Sequence, residues 1–418
     1  MANGAFWTFA GTATAKLIVV VAGIICAHIL TQKEFGEYGI VRSTIGMFVV
    51  FGEAGLGLTA TKYIAEYREK FSNRISGIYL LTTGFALCTG FLVASLVLFF
   101  SKDISVGLLK APELESSIKM GAVMLFVAVL NGAQAGVLSG FEDFKAIAIN
   151  TFWGSLAESL FMIAGAHYYG VPGAVLGYGV GFAVLLVLNR LSIRRIFLNS
   201  NIRVSINRIK DCDFHILYKF SLPATLSSMI IAPTYWICKT ILTRECGFEE
   251  VAIYEASDQW RTMILFIPSA ISQIVLPILA SVVNVDKNKF WKVLNLNLIL
   301  NGSITFFIAA IVIIFRPYLM GVYGSGYEST TTLVLLALST IFSSLANVVG
   351  LSISSRSKMW QGFVFNLIWA IVVIALSKYF VDIFYGAAGI GAAILVAYII
   401  HTILQLTYLK IIMRTNNN

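Results

Sequence analysis

The sequence predicts an all-α polytopic membrane protein with about 12 transmembrane helices in two pseudo-symmetric six-helix bundles. Three observations lead there. Of 418 residues, 58% are hydrophobic and only 12% are charged, about half the charged share of a soluble domain, and mean hydropathy is +0.83. Twelve apolar runs are each long enough to cross roughly 30 Å of hydrocarbon at about 1.5 Å per residue. The two halves of the chain also repeat one another. One aqueous core cannot hide this much apolar surface, which excludes a cytosolic enzyme or DNA-binding domain.

The expected spans are 5–31, 39–62, 75–101, 116–140, 147–168, 172–190, 217–243, 252–283, 291–316, 329–354, 361–383 and 388–412. The first is read as an uncleaved helix, because no basic n-region or small-residue cleavage site precedes it. The organisation is an N-terminal six-helix lobe over 1–200, a basic connection over 201–216 and a C-terminal six-helix lobe over 217–418. With both termini in the cytoplasm, 19 of the 30 Lys and Arg lie inside, 8 lie outside and Lys16, Lys239 and Arg261 lie within spans. The positive-inside rule favours that orientation. The net charge of +9 is then membrane topology, and the Arg-rich stretch from Arg190 to Lys210 borders anionic headgroups rather than nucleic acid. Five cysteines, three of them inside apolar runs, imply no disulfide framework.

The repeat is visible in residues. Ile25-Cys26-Ala27-His28-Ile29-Leu30-Thr31 matches Ile237-Cys238-Lys239-Thr240-Ile241-Leu242-Thr243, and Phe35-Gly36-Glu37-Tyr38 matches Val251-Ala252-Ile253-Tyr254. A duplicated unit with an even number of spans gives two bundles of the same orientation, related by an axis along the membrane normal.

Charges inside spans cost about 2.5–3.5 kcal/mol each, so each needs a partner, a wet cavity or a function. Lys16 lies roughly 16–22 Å from either end of a straight first helix, too deep to snorkel. It either pairs with Glu53 or Glu158, or faces a hydrated cavity where it binds an anion while a glutamate binds H+ or Na+. Glu53 and Glu158 are therefore the ion-coupling candidates. Glu255, Asp258 and Arg261 recur every third residue and share one helical face. Arg42 and Asp258 are pseudo-equivalent and opposite in charge, which suggests a gating ion pair. Lys239, four residues from the end of its span, either snorkels to the interface or joins Lys16 and Arg261 as an anion clamp. Pro223, Pro233, Pro268 and Pro277 concentrate in the seventh and eighth spans, where they predict kinks. His401 lies deep in the last span, and Trp7, Trp291 and Trp360 lie near span ends as interfacial anchors.

No Gly-Lys-Ser/Thr loop, His-Glu-x-x-His, Cys-x-x-Cys or Gly-x-Ser-x-Gly occurs. The chain is expected to be a transporter without cofactor, metal site or catalytic residues, driven by an ion gradient, the membrane potential or the substrate gradient.

Several segments then carry a resemblance. They are Leu30-Thr31-Gln32-Lys33-Glu34-Phe35-Gly36-Glu37-Tyr38, Phe51-Gly52-Glu53-Ala54-Gly55-Leu56-Gly57, Tyr63-Ile64-Ala65-Glu66-Tyr67, the stretch from Gly136 to Lys145, Phe220-Ser221-Leu222-Pro223 and the stretch from Ile253 to Pro277. In this order, over nearly the whole length, the chain resembles bacterial O-antigen (Wzx-type) polysaccharide flippases of the multidrug/oligosaccharidyl-lipid/polysaccharide (MOP) exporter superfamily. It departs at Glu53-Ala54, where such proteins often carry Asp-Leu. The resemblance implies a MATE-like fold in the bacterial inner membrane, with two lobes around a central cationic cavity. It also implies an undecaprenyl-pyrophosphate-linked oligosaccharide as substrate, moved from the cytoplasmic to the periplasmic leaflet by alternating access, with membrane lipids and polysaccharide polymerase machinery as partners. In relatives of this type basic residues of the first and eighth helices face the cavity; Lys16 and Arg261 fit those places. Asn131, Gln134, Trp153, Gln259 and Tyr235 are suited to contact sugar. Two other readings compete. A multidrug/cation antiporter would favour a cavity of carboxylates and aromatics over deep basic residues. A membrane polymerase or ligase for the same glycans would need a sizeable outer loop, which this chain lacks.

Overall fold

In a computed structural model, residues 2–68, 72–202, 204–205, 222–282, 287–354 and 359–415 are described. The regular elements among them are all helical: α1 (Ala2–Ile29), α2 (Gln32–Glu53), α3 (Leu56–Tyr67), α4 (Ser72–Phe99), α5 (Glu115–Gly140), α6 (Phe144–Asn199), α7 (Leu222–Cys246), α8 (Phe248–Val282), α9 (Lys287–Ile314), a short α10 (Arg316–Gly321), α11 (Thr331–Ser354), α12 (Met359–Phe384) and α13 (Ala387–Thr415). A π-helical turn over Asp103–Leu108 and a 3₁₀ turn over Pro112–Leu114 join α4 to α5.

Eight helices are each long and apolar enough to span a membrane, and α2 with α3 forms a ninth as one bent span. At about 1.5 Å per residue the 56-residue α6 would be roughly 84 Å long if straight, so it must cross twice. It reverses at Gly170, whose φ of 59° and ψ of −140° are open only to glycine; Pro172 then starts the second arm, where a missing N–H is harmless. Helices α7 and α8, 25 and 35 residues long, are less apolar because they carry Lys239, Glu255, Asp258 and Arg261. They complete the twelve crossings among the described residues.

Two expectations from sequence change. The second span starts at Gln32 rather than at 39, because Thr31 and Glu34 form a capping box: Thr31 N–H donates to Glu34 Oε2 at 2.8 Å, and Glu34 N–H to Thr31 Oγ1 at 3.2 Å. That span is also not one helix. Ala54 and Gly55 are both left-handed, with φ of 42° and 66°, and α3 leaves α2 at 43°. The seventh and eighth spans, by contrast, run uninterrupted through Pro233 and Pro268. The two breaks fall at glycines instead.

The chain divides into two compact units, Met1–Ala232 and Pro233–Asn418. Of the 201–216 connection only 201, 202, 204 and 205 are described; Ile202 is buried, and Ser205 N–H donates to Ser76 Oγ at 2.9 Å. The Trp7, Pro223 and Pro277 side chains lie outside the described parts.

In the first unit, glycines bring helices into backbone contact, the usual route to tight packing where lipid gives no hydrophobic drive. Gly132, Gly136 and Gly140 of α5 lie against Glu53, Gly57 and Ile64. Gly173, Gly177 and Gly181 of the second α6 arm lie against Gly165, Met162 and Glu158 of the first. A methyl group at Gly136 or Gly173 would strike a backbone carbonyl. At one end of this unit Ala60, Ile64, Ile75, Ile78, Val137 and Phe197 form a buried cluster. Beyond it Arg68 bonds Glu142 at 2.7 Å and donates to the Gly140 carbonyl at 3.3 Å. That bond and charge hold the exposed Glu142 carboxyl below its ordinary range.

In the second unit Phe290, Leu294, Val348, Val349, Ile353 and Leu409 pack together. A polar seam joins α8, α9 and α11: Ser272 Oγ donates to Asn301 Oδ1 at 3.4 Å, and Thr305 Oγ1 to Ser344 Oγ at 3.0 Å. Asn301 also donates to the side-chain and backbone oxygens of Asn297.

Candidate functional site

The three-residue spacing on α8 does place Glu255, Asp258 and Arg261 on one face, and each meets a different partner. Arg261 Nε donates to Asp258 Oδ1 at 2.5 Å, and its Nη1 donates to the Tyr235 hydroxyl at 3.1 Å. The guanidinium carbon lies 4.9 Å from the centroid of the Tyr235 ring, within cation–π range. The Arg261 side chain is 11% exposed. A guanidinium has five N–H donors, and two are committed among the described residues.

Tyr235, from α7, extends the site. Its hydroxyl lies 3.3 Å from that of Tyr398 on α13. Its ring lies 5.7 Å from Trp369 on α12, which is 5.2 Å from Tyr398. His401 lies one turn beyond, 6.3 Å from the Tyr398 ring. The buried Trp369 Nε1 and His401 Nδ1 have no hydrogen-bond partner among the described residues. The result is a guanidinium with spare donors beside a wall of tyrosine, tryptophan and histidine. Aromatic faces and hydroxyls of this kind suit a sugar, and a guanidinium suits a phosphate. Tyr398 and Trp369 were not among the residues singled out from sequence.

Lys239 does not snorkel. Its Nζ meets Glu255 Oε1 at 2.5 Å and lies 5.4 Å from the centroid of the Tyr254 ring; both charged side chains are almost fully buried. Its charge is matched inside the unit, one helix turn from the Arg261–Asp258 pair. Gln259 Oε1 accepts from the Tyr323 hydroxyl at 3.1 Å.

In the first unit Lys16 is half-buried midway along α1. Neither Glu53 nor Glu158 pairs with it. Glu158, on the first arm of α6, lies in the field of Arg42, whose guanidinium sits 5.2 Å from the Tyr178 ring centroid. The physical reason is register. With α2 starting at Gln32, Arg42 is roughly 15 Å inside the helix rather than near its end, deep enough for its charge to act on Glu158. The two residues expected to form a gate thus each have an opposite charge within their own unit: Arg42 has Glu158, and Asp258 has Arg261. Glu53 sits at the break of the second span against Gly132. Asn131 Nδ2 donates to the Phe182 carbonyl at 2.8 Å, Gln134 is buried and Trp153 is exposed.

Comparison with known proteins agrees with this architecture. A family model described as "Polysaccharide biosynthesis protein" matches residues 1–283. The EPS I polysaccharide export inner membrane protein EpsE of Ralstonia solanacearum is 22% identical over 395 residues, covering 91% of this chain and 87% of the relative. The lipid III flippase of Escherichia coli (strain K12) is 24% identical over 292 residues, covering 67% of each. Among solved structures, the inward-facing conformation of a multidrug resistance MATE family transporter of the MOP superfamily superposes with a TM-score of 0.79 at 13% identity, covering 96% of this chain and 95% of that one. The chain belongs to the polysaccharide biosynthesis protein family and is a multi-pass membrane transporter with the MOP-superfamily fold.

Proposed function

We propose that the protein is a flippase that moves an oligosaccharide linked to undecaprenyl pyrophosphate from the cytoplasmic to the periplasmic leaflet by alternating access. The observation that carries this reading is Arg261: a guanidinium inside a membrane-embedded unit, held by Asp258 and Tyr235, with donors to spare beside an aromatic wall. A diphosphate needs a forked cationic partner in a low-dielectric site, and Tyr235, Tyr398 and Trp369 suit the adjoining sugar. Lys16 of the first unit is a further basic candidate, half-buried midway along α1. Lys239 is left out, because Glu255 already balances it. The likeness to the polysaccharide export protein EpsE and to the lipid III flippase supports a polysaccharide-related, lipid-linked cargo. The bias of 19 basic residues to 8 supports cytoplasmic termini. Transport draws on an H+ or Na+ gradient or on the membrane potential.

Mass spectrometry of polyprenyl-linked lipids in a strain depleted of the protein tests this. A completed oligosaccharide unit on undecaprenyl pyrophosphate should accumulate while surface glycan is lost. Unchanged lipid-linked intermediates together with new sensitivity to cationic dyes would instead assign it as a multidrug exporter.

A further inference from the structure

Three arginines share one exposed stripe at the end of α6. The second arm of this helix runs from Pro172 to Asn199, about 42 Å at about 1.5 Å per residue. A hydrocarbon layer takes up roughly 30 Å of that, so the last two turns stand among the headgroups. Over this stretch Val187, Arg190, Leu191, Arg194, Arg195 and Leu198 are exposed. They fall at i, i+3, i+4, i+7, i+8 and i+11, which keeps them on one face. Asn189, Ile193 and Phe197 point away from it and are buried.

The buried side holds the stripe still. Asn150 Nδ2 donates to Asn189 Oδ1 at 2.9 Å and to Ser192 Oγ at 3.0 Å. The Phe197 ring lies 5.1 Å from Tyr79 and 6.0 Å from Phe141. The helix then closes in a Schellman motif at the left-handed Asn201: Ile202 N–H donates to the Phe197 carbonyl at 2.9 Å, and Asn201 N–H to the Leu198 carbonyl at 3.2 Å. Nearby cations are committed. Arg68 pairs with Glu142, and Arg74 lies 5.6 Å from the Tyr67 ring centroid. Among the described residues, Arg190, Arg194 and Arg195 have no ion pair, hydrogen bond or ring contact. Three guanidinium forks within about 7.5 Å of helix axis are thus left to an outside anion.

We propose that this stripe is a binding site for anionic phospholipid, with Arg190, Arg194 and Arg195 on the phosphate and Leu191 and Leu198 on the glycerol and upper acyl chain. The mixture of side chains selects that occupant. Leu191 and Leu198 are 55% and 68% exposed and would gain nothing from a polyanion in water, whereas a phospholipid satisfies leucine and guanidinium together. A carrier-linked sugar would call for aromatic, hydroxyl or amide groups, and the stripe has none. The site does not depend on the flippase reading; its placement in the cytoplasmic leaflet rests on the orientation proposed above.

Native mass spectrometry of the purified full-length protein tests this, with phosphatidylglycerol, phosphatidylcholine of the same chains and undecaprenyl diphosphate each offered at equal concentration. Wild-type protein should retain phosphatidylglycerol in preference to phosphatidylcholine. Arg190→Gln with Arg194→Gln and Arg195→Gln should cut phosphatidylglycerol retention by about tenfold or more, leaving phosphatidylcholine unchanged and the melting temperature near wild type. Leu191→Ser with Leu198→Ser should cut it partly. Lys102→Gln with Lys110→Gln, two exposed lysines beyond the far end of α4, should leave it as in wild type. Wild-type retention by a folded triple-arginine variant would overturn the proposal, as would an equal loss in the lysine pair, which would make the effect one of net charge. Loss of undecaprenyl diphosphate with phosphatidylglycerol kept would assign the stripe to the cargo instead, and loss of heparin binding with phosphatidylglycerol kept would assign it to a soluble polyanion; either result overturns the phospholipid site.

Discussion

Arg261→Ala is expected to lower translocation of a lipid-linked oligosaccharide by about 10- to 100-fold, the loss of one or two hydrogen bonds from a charged donor to an anion. The substitution also removes the counter-charge of Asp258, which it meets at 2.5 Å, so the single variant confounds binding with folding. Arg261→Gln combined with Asp258→Asn separates them. The double variant keeps two polar side chains and no net charge, and should recover thermal stability and membrane accumulation without recovering translocation. Arg261→Lys keeps the charge but loses the planar fork and its stacking on Tyr235, so its activity should fall between wild type and alanine. Full translocation by the double variant would reduce Arg261 to a structural partner of Asp258. Rate and melting temperature, measured on the same preparations, decide.

Lys239→Ala should destabilise the protein by about 3–5 kcal/mol, because it leaves Glu255 buried and unpaired. Both side chains are nearly fully buried, at 10% and 11% exposure, and meet at 2.5 Å. Replacing both, as Lys239→Met with Glu255→Leu, should restore most of the stability: two well-packed apolar side chains avoid the desolvation that the ion pair only partly offsets. Thermal unfolding in detergent reads this directly. The expected pattern is a large loss for each single variant and recovery in the double one, with translocation following stability. A Lys239→Ala protein as stable as wild type but inactive would put Lys239 back among the substrate contacts.

The twelve crossings were legible because a bilayer imposes one length on every helix, and run length survives in sequence. The broken second span was not. Hydropathy across Glu53-Ala54-Gly55-Leu56 records no backbone angle, and only the glycine hinted at a left-handed residue. The capping box Thr31-x-x-Glu34 was present in the sequence, and applying it would have moved the start of α2 and placed Arg42 deep enough for its charge to act on Glu158. For Lys16 depth alone left a glutamate pair and a hydrated cavity as alternatives, because depth does not say which helices touch. On α8 the spacing of Glu255, Asp258 and Arg261 was sufficient, since residues three apart share a face whatever surrounds them. Their partners were less accessible. Lys239 and Tyr235 sit on the neighbouring helix, whereas Trp369 and Tyr398 lie more than a hundred residues further on, where no local pattern marks them. A proline can bend a helix without ending it, so α7 and α8 run on through Pro233 and Pro268, whereas consecutive left-handed residues do end a helix.

The most direct measurement is translocation in proteoliposomes containing only the purified protein. Polyprenyl diphosphate oligosaccharide is placed in the inner leaflet, and its arrival outside is scored by a sugar-specific enzyme that cannot enter. Wild-type protein should expose the lipid far faster than empty liposomes, Arg261→Gln with Asp258→Asn should not, and an organic cation such as ethidium should not be carried. Ethidium transport by wild-type protein with no exposure of the oligosaccharide would contradict a flippase built around Arg261.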